Sequence, residues 1–296
     1  QPMYVLSHYK QLFDERLYII ANILKKPVFP SYNEVILHEN KRMLAYWLKA
    51  NNIPHPTTTI IYNKNEALNF IKNTKYPIVA KTAIGAAAAG VEILKSFKQA
   101  SKYIKKAFSS KGIPKRFGPN TRNIDFPQRA KKNALNFKKI ISKLKNYILI
   151  HSDKQKGFVI FQEYIKHDYE WRIVRIGDSF FAYKKLVFND KASGAKRFEY
   201  GPPPVQLMNF IKNLTDKYQF FNVAIDVFPK DDNTFLINEI QTKFSHRNPY
   251  ILKIDDKPGR YIYSNDQWVF EEGNFNENES YNLRLKYVID KINSSL

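Results

Sequence analysis

In the stretch Asn222-Val223-Ala224-Ile225-Asp226-Val227-Phe228 one carboxylate interrupts an apolar run. Burying an unpaired carboxylate is costly, so Asp226 calls for a cationic partner. Further on, Glu239 and Gln241 stand two apart, and alternate residues of a strand share one face of the pleat. Asp226, Glu239 and Gln241 thus offer three oxygen donors from two adjacent strands, a set that suits a hard cation such as Mg²⁺. The same pattern also reads as a half-exposed hairpin whose acids face water.

Two further groups carry chemistry. Lys81 ends the apolar run Pro77-Ile78-Val79-Ala80 and precedes a loop of small residues, Gly85 to Gly90. That arrangement can set backbone N–H groups and an ammonium around phosphate oxygens, although no Gly-Lys-Ser/Thr closes the loop as in a Walker A motif. It reads equally as a plain turn beside a solvent-facing lysine. In Phe161-Gln162-Glu163-Tyr164-Ile165, Glu163 leaves an apolar strand and offers an acceptor, with main-chain groups, to an adenine edge. Glu170, seven residues on, is placed to accept from ribose hydroxyls. Arg172 and either Lys184 or Lys185 fall on neighbouring strands, available to phosphate oxygens or to ordinary cross-strand ion pairs.

The elements that must position these residues follow from periodicity and turn chemistry. Helices are expected over Leu12–Leu24, from Lys41 through Leu48, Glu66–Ile71, Ser96–Phe108 with a Ser96/Gln99 capping box, Lys131–Leu144, Val205–Tyr218 and Leu283–Ile292. Strands are expected at Thr57–Tyr62, Pro77–Lys81, Val91–Leu94, Phe158–Gln162, Trp171–Ile176, Phe180–Phe188, Phe221–Phe228 and Phe235–Gln241. Gly177-Asp178 reads as a hairpin turn. Helices mixed with antiparallel hairpins make the class α+β.

The chain has 296 residues, 44% of them hydrophobic, which excludes a disordered protein and permits a sizeable core. It contains no cysteine, so disulfides, thiolate metal sites and cysteine nucleophiles are excluded. No run is long enough to span a membrane and the first ten residues lack a signal peptide's apolar stretch, so a cytoplasmic location is expected. The formal charge is +21, and eleven Lys/Arg against one acid fall between Lys111 and Asn146. Such a concentration points to nucleic acid, an acidic membrane surface, an anionic substrate or a solvated face. No nucleic-acid-binding motif accompanies it.

In order and spacing, Lys41, Ile53-Pro54-His55-Pro56-Thr57, Pro77 to Lys81 with its loop, Glu163-Tyr164-Ile165, Arg172, Asp226 and Glu239-Ile240-Gln241 resemble the ATP-grasp superfamily. That group includes biotin carboxylase, D-alanine–D-alanine ligase, glutathione synthetase and the ribosomal-protein glutamate ligases. The resemblance covers about residues 35 to 250. It implies two α+β lobes with ATP held between them: residues 77–162 as the smaller lobe with a basic insertion at 111–146, and 39–76 with 163–296 as the larger, behind a short N-terminal segment, 1–38. It implies that Lys41 and Lys81 contact ATP phosphates, that the loop from Gly85 to Gly90 folds over them, that Glu163, Tyr164 and Ile165 form the adenine hinge, and that Glu170 meets the ribose. Lys185, or its neighbour Lys184, would lie near the γ-phosphate with Arg172 close by. Asp226, Glu239 and Gln241 would hold Mg²⁺, with Mn²⁺ as an alternative ion.

Family members phosphorylate a carboxylate and let an amine or other nucleophile attack it, so the resemblance implies an ATP-dependent carboxylate–amine ligase. A phosphotransferase on the same fold, or a basic nucleic-acid-binding protein, are the alternatives. Three departures stand out: Gln241 where asparagine is usual, alanines where the loop usually has glycines, and a short region before Lys41. The basic insertion, with Lys243 to Arg247 and the loop at Asp190 to Ala195, favours an anionic acceptor such as a uronic acid, a nucleotide-linked sugar or an acidic peptide.

Overall fold

The computed structural model describes residues 6–85, 88–119, 121, 126–128, 137–188, 192, 197–230, 234–244 and 250–294. The chain divides into two compact units, one of Gln1–Phe13, Glu39–Lys166 and Val187–Arg197, the other of Asp14–His38, His167–Leu186 and Phe198–Leu296. It opens with helix α1 (Ser7–Tyr18), which runs into a single π-helical turn at Ile19–Ile23.

In the first unit, helix α3 (Lys41–Ala50) is followed by an antiparallel sheet of β1 (Thr58–Ile61), β2 (Ile78–Lys81), β3 (Val91–Leu94) and β4 (Val159–Glu163), in the order β1-β4-β2-β3. Helices α4 (Lys64–Lys72) and α5 (Phe97–Ala107) supply Ala67, Ile71, Ala100 and Ile104 to a core with Ile78, Ala80, Leu94 and Phe161 of the strands. Each isoleucine or leucine among them, fully withdrawn from water, contributes about 1.5–3 kcal/mol. Asn63 caps α4 by accepting from the N–H groups of Asn65 and Glu66. Ser96 caps α5 by accepting from Gln99 N, whereas Gln99 Oε1 reaches back to Lys95 N, one residue short of a reciprocal capping box.

One sequence expectation needs correcting. Residues 39–76 belong with this smaller sheet, because β1 pairs with β4 from Thr58↔Gln162 to Ile61↔Val159. Pairing between segments so far apart is set by tertiary contact and leaves no local signature. The basic helix, α6, runs over Phe137–Ser152. The expected earlier part, 131–136, lies outside the described residues.

In the second unit the described residues form an eight-stranded antiparallel sheet. Its strands are β5 (Tyr169–Ile176), β6 (Ser179–Leu186), β7 (Phe198–Glu199), β8 (Asn222–Pro229), β9 (Phe235–Gln241), β10 (Lys253–Ile254), β11 (Lys257–Ser264) and β12 (Gln267–Glu272). The order is β10-β11-β6-β5-β8-β9, with β12 on β11 and β7 on β6. Gly177 turns the β5–β6 hairpin at φ +57°, and a Cβ there would lie 2.7 Å from the Tyr287 ring, so only glycine fits. Helix α2 (Tyr32–Leu37) is tied to the start of β8: Glu34 completes a capping box with Ser31 while its other oxygen accepts from Asn222 N at 2.7 Å. Helices α7 (Val205–Tyr218) and α8 (Tyr281–Asn293) complete the unit. No helix among the described residues is long and apolar enough to cross a membrane.

Candidate functional site

Register places one group of candidate side chains on a single face of the larger sheet. Arg172 on β5 is opposite Asp226 on β8, and Asp226 is opposite Glu239 on β9. Glu170 precedes Arg172 by two and faces Lys185 on β6, and Gln241 follows Glu239 by two. Strand alternation therefore gathers Glu170, Arg172, Lys185, Asp226, Glu239 and Gln241. It also resolves the choice between the two lysines. Lys184 is opposite Trp171, stacks over Tyr169 at 4.9 Å and pairs with Glu199, all on the other face, so Lys184 is removed from the candidate site.

The cation that Asp226 requires is present twice. Arg172 forms a fork on its carboxylate, Nε to Oδ1 at 2.6 Å and Nη2 to Oδ2 at 2.8 Å, and Lys185 Nζ reaches Oδ2 at 2.6 Å. Lys185 also donates to Glu170 Oε2 at 2.9 Å, and His167 Nε2 lies 3.6 Å from Glu170 Oε1. Asp226 is wholly buried, and Glu170 and Lys185 nearly so. Burial alone would raise the Glu170 carboxyl, but Lys185, by its charge and hydrogen bond, and nearby His167 overcome it and hold Glu170 at about 2. Burial works against the Lys185 ammonium too, yet Asp226 and Glu170 raise it. Arg172 is likewise held charged by Asp226 against its burial.

This geometry changes the reading of Glu170. A carboxylate buried against Lys185 is not presented to a ribose; it orients the lysine instead. The donor set for a metal is also narrower than its sequence implies. Both Asp226 oxygens already accept from cations, and among the described residues no three His, Asp or Glu side chains converge as a metal cage. Glu239 and Gln241 remain half-buried on the same face, and Gln241 Oε1 is 3.4 Å from Arg172 Nη2. Carboxylate and amide oxygens fit Mg²⁺ by chemical type, so Glu239 and Gln241 are the residues that would hold it, with Asp226 behind them.

The other group of candidates lies in the first unit. Lys41 Nζ donates to Gly85 O at 2.6 Å, and its main-chain N–H donates to Ala83 O at 2.8 Å, so helix α3 begins on the loop itself. Lys81 ends β2, largely buried, opposite Ile160 and Val91. At the far end of the loop Thr82 N donates to Gly90 O at 2.8 Å, and a Cβ on Gly90 would fall 1.7 Å from Thr82 Oγ1. Ala88 adopts φ +55°, a left-handed conformation that disfavours any residue with a Cβ. Ala86 and Ala87 lie outside the described residues, as do Lys131, Lys132, most of Asp190 to Ala195, and Ser245 to Arg247.

Sequence reading missed the support of this loop. Arg116 N donates to Ala89 O, and the neighbouring Lys115 is buried, its stem within about 4 Å of where a Gly85 Cβ would stand. Lys115 Nζ is 2.5 Å from Asp153 Oδ2, and Asp153 also accepts from Ser7 N and Oγ. Burial pushes the Lys115 ammonium down more than Asp153 restores it, and nearby Lys41 adds to the fall. No local pattern links Lys115 to Asp153; only their isolated polarity within otherwise packable segments was available as a signal.

At the expected hinge, Glu163 N donates to Thr57 O at 2.9 Å, so that N–H serves the sheet and not a ligand. Glu163 and Tyr164 line a cavity of about 400 Å³ with Thr57, Phe70, Tyr76 and Pro77. Ile165 follows, half-buried, beyond the end of β4.

No family model matches the chain. Over 60 residues it is 37% identical to alpha-aminoadipate–LysW ligase LysX of Saccharolobus solfataricus, a match that spans 20% of this chain and 22% of that protein. The ADP complex of N5-carboxyaminoimidazole ribonucleotide synthetase superposes with a TM-score of 0.50 at 13% identity, over 81% of this chain and 53% of that one. Biotin carboxylase of Campylobacter jejuni gives 0.50 at 12% identity, over 80% and 48%. The chain thus spans about a fifth of the curated relative and about half of each solved structure. The mixture of helices with two antiparallel sheets and these superpositions agree: the chain has the ATP-grasp fold.

Proposed function

We propose that this protein is an ATP-dependent carboxylate–amine ligase. The observation that carries the reading is the single sheet face on which Arg172, Lys185, Asp226, Glu239 and Gln241 gather, two fixed cations beside two hard oxygen donors. In the first unit, Lys41, Lys81 and the loop from Gly85 to Gly90 bind phosphate oxygens, and Glu163, Tyr164 and Ile165 border the adenine. In the second, Arg172 and Lys185 stabilise charge on the transferring phosphoryl group, while Glu170 positions Lys185. Glu239 and Gln241 would hold Mg²⁺, which when bound would neutralise phosphate charge.

The reaction transfers the γ-phosphoryl group to a carboxylate oxygen with release of ADP. An amine nitrogen then attacks the acyl carbon, phosphate leaves, and the nitrogen loses a proton, giving an amide. The excess of basic residues favours an anionic acceptor such as a uronic acid, a nucleotide-linked sugar or an acidic peptide.

Calorimetry of ATP with and without Mg²⁺, on the wild type and on Glu239→Ala/Gln241→Ala, tests the site. Mg²⁺-dependent binding that weakens at least tenfold in the double variant supports it; metal-independent binding, or none, overturns it. Screening carboxylates with amines for ADP release then tests the reaction. An amide product is expected, and a phosphoryl ester as the final product would make the protein a phosphotransferase instead.

A further inference from the structure

Helix α6 (Phe137–Ser152) is unlike the other helices of its unit. Its sequence, FKKIISKLKNYILIHS, holds four lysines and no acid. Yet its apolar residues are not buried: Ile140 and Ile141 are 41% exposed, Leu144 and Leu149 47%, and Ile148 56%. At 100° per residue, Ile141, Leu144 and Ile148 fall within one narrow arc, with Lys138 and Lys145 beside it on one flank. The end near β4 is anchored by Tyr147 and His151 edge-on to Phe117 and by His151 Nδ1 at 2.9 Å from Lys115 O. Where the helix rejoins the sheet, Lys111, Lys154 and Lys156 are all exposed.

We propose that α6 docks the protein on an anionic lipid bilayer, with Ile141, Leu144 and Ile148 at the acyl boundary and the flanking lysines among the headgroups. An apolar arc bordered by lysines, with no acid anywhere in the helix, matches a surface that is apolar beneath and negative above. A nucleic acid would use the lysines and leave the apolar arc wet. A second copy would bring four lysines of each helix together on chains that each carry +21. The helix has 16 residues, about 24 Å at 1.5 Å each, and so lies along a bilayer surface and does not cross it.

The test is sedimentation of the full chain with phosphatidylcholine vesicles, with and without phosphatidylserine, at low and high salt. Binding is expected only with phosphatidylserine, weakening as salt rises. Leu144→Asp/Ile148→Asp is expected to abolish it with the thermal melt unchanged, since both side chains already face solvent. Lys138→Ala/Lys145→Ala is expected to weaken it by roughly tenfold or more. Three results each overturn the proposal. The wild type does not bind phosphatidylserine vesicles; the double aspartate variant binds as well as wild type; or the wild type self-associates in gel filtration and that variant does not. Because none of these readouts involves ATP, the result is independent of the proposed ligase activity.

Discussion

Glu170 provides a quantitative test of the buried ion network. Its carboxyl is drawn from 4.5 to about 2 in the folded chain, against its burial, by Lys185 and His167. A folded value below the unfolded one adds stability that is complete above pH 4.5 and lost as pH falls through 2. The full contribution is about 3 kcal/mol. On the same linkage about 1 kcal/mol of it is gone by about pH 4, and about 2 kcal/mol by about pH 3. Many other carboxylates protonate over this range and the net charge of the chain rises, so the readout is a difference. Urea unfolding of wild type and Glu170→Gln is compared at pH 6, 4 and 3. Glu170→Gln is expected to start less stable at pH 6 and to lose less stability on acidification, so that the gap between the proteins narrows by these amounts. A gap that stays constant from pH 6 to pH 3 would refute the assignment of Glu170 as the buried partner of Lys185.

Other substitutions probe the two faces of the sheet and the loop. Lys185→Met strips a cation from both Glu170 and Asp226 and is expected to cost about 3–5 kcal/mol in urea unfolding, with loss of ADP release. Lys184→Met breaks only a partly exposed pair with Glu199 and is expected to cost no more than about 1 kcal/mol, with activity kept. Gly90→Ala drives a methyl into Thr82 and is expected to lower stability by about 1–3 kcal/mol; Gly90→Ala/Thr82→Ala loses the Oγ1 at 1.7 Å but keeps the Cβ at 2.8 Å, and should regain part of that in the same melt. Ala88→Gly relieves a left-handed φ of +55° and is expected to be neutral or stabilising by up to about 1 kcal/mol, in contrast to an ordinary loop alanine, where glycine destabilises.

How much of this was legible in the sequence depends on the range of the interactions. The apolar strand around Asp226 and the two-residue spacing of Glu239 and Gln241 show their shared face directly, because period two is a property of any strand. The need for a cation at Asp226 was legible; that two would answer was not, since it depends on the β5–β8 and β5–β6 registers. For the same reason adjacent Lys184 and Lys185 could not be told apart, although one register step separates a site residue from an outer-face pair. Glu170 lost its expected ribose role because burial, not order along the chain, decides what a carboxylate meets. The β11–β12 hairpin was missed despite a readable signal, the β-prone run Tyr261-Ile262-Tyr263 and Asn265-Asp266 at the turn, both at positive φ.

The double pairing of Asp226 bears on how such a face does chemistry. An isolated buried carboxylate would either take up a proton or draw a cation out of solution, and its position would follow the ligand. Here Arg172 is fixed by a two-point fork and Lys185 by two carboxylates, so both cations are oriented before any substrate arrives. In the proposed reaction, charge that develops nearby would meet donors already in place, with little reorganisation at the moment of transfer. Glu239 and Gln241 are less buried and lie at the edge of this network, which is why the ion is proposed to sit on them. The longer amide of Gln241 reaches back toward Arg172, so the extra methylene brings its Oε1 to the edge of the network.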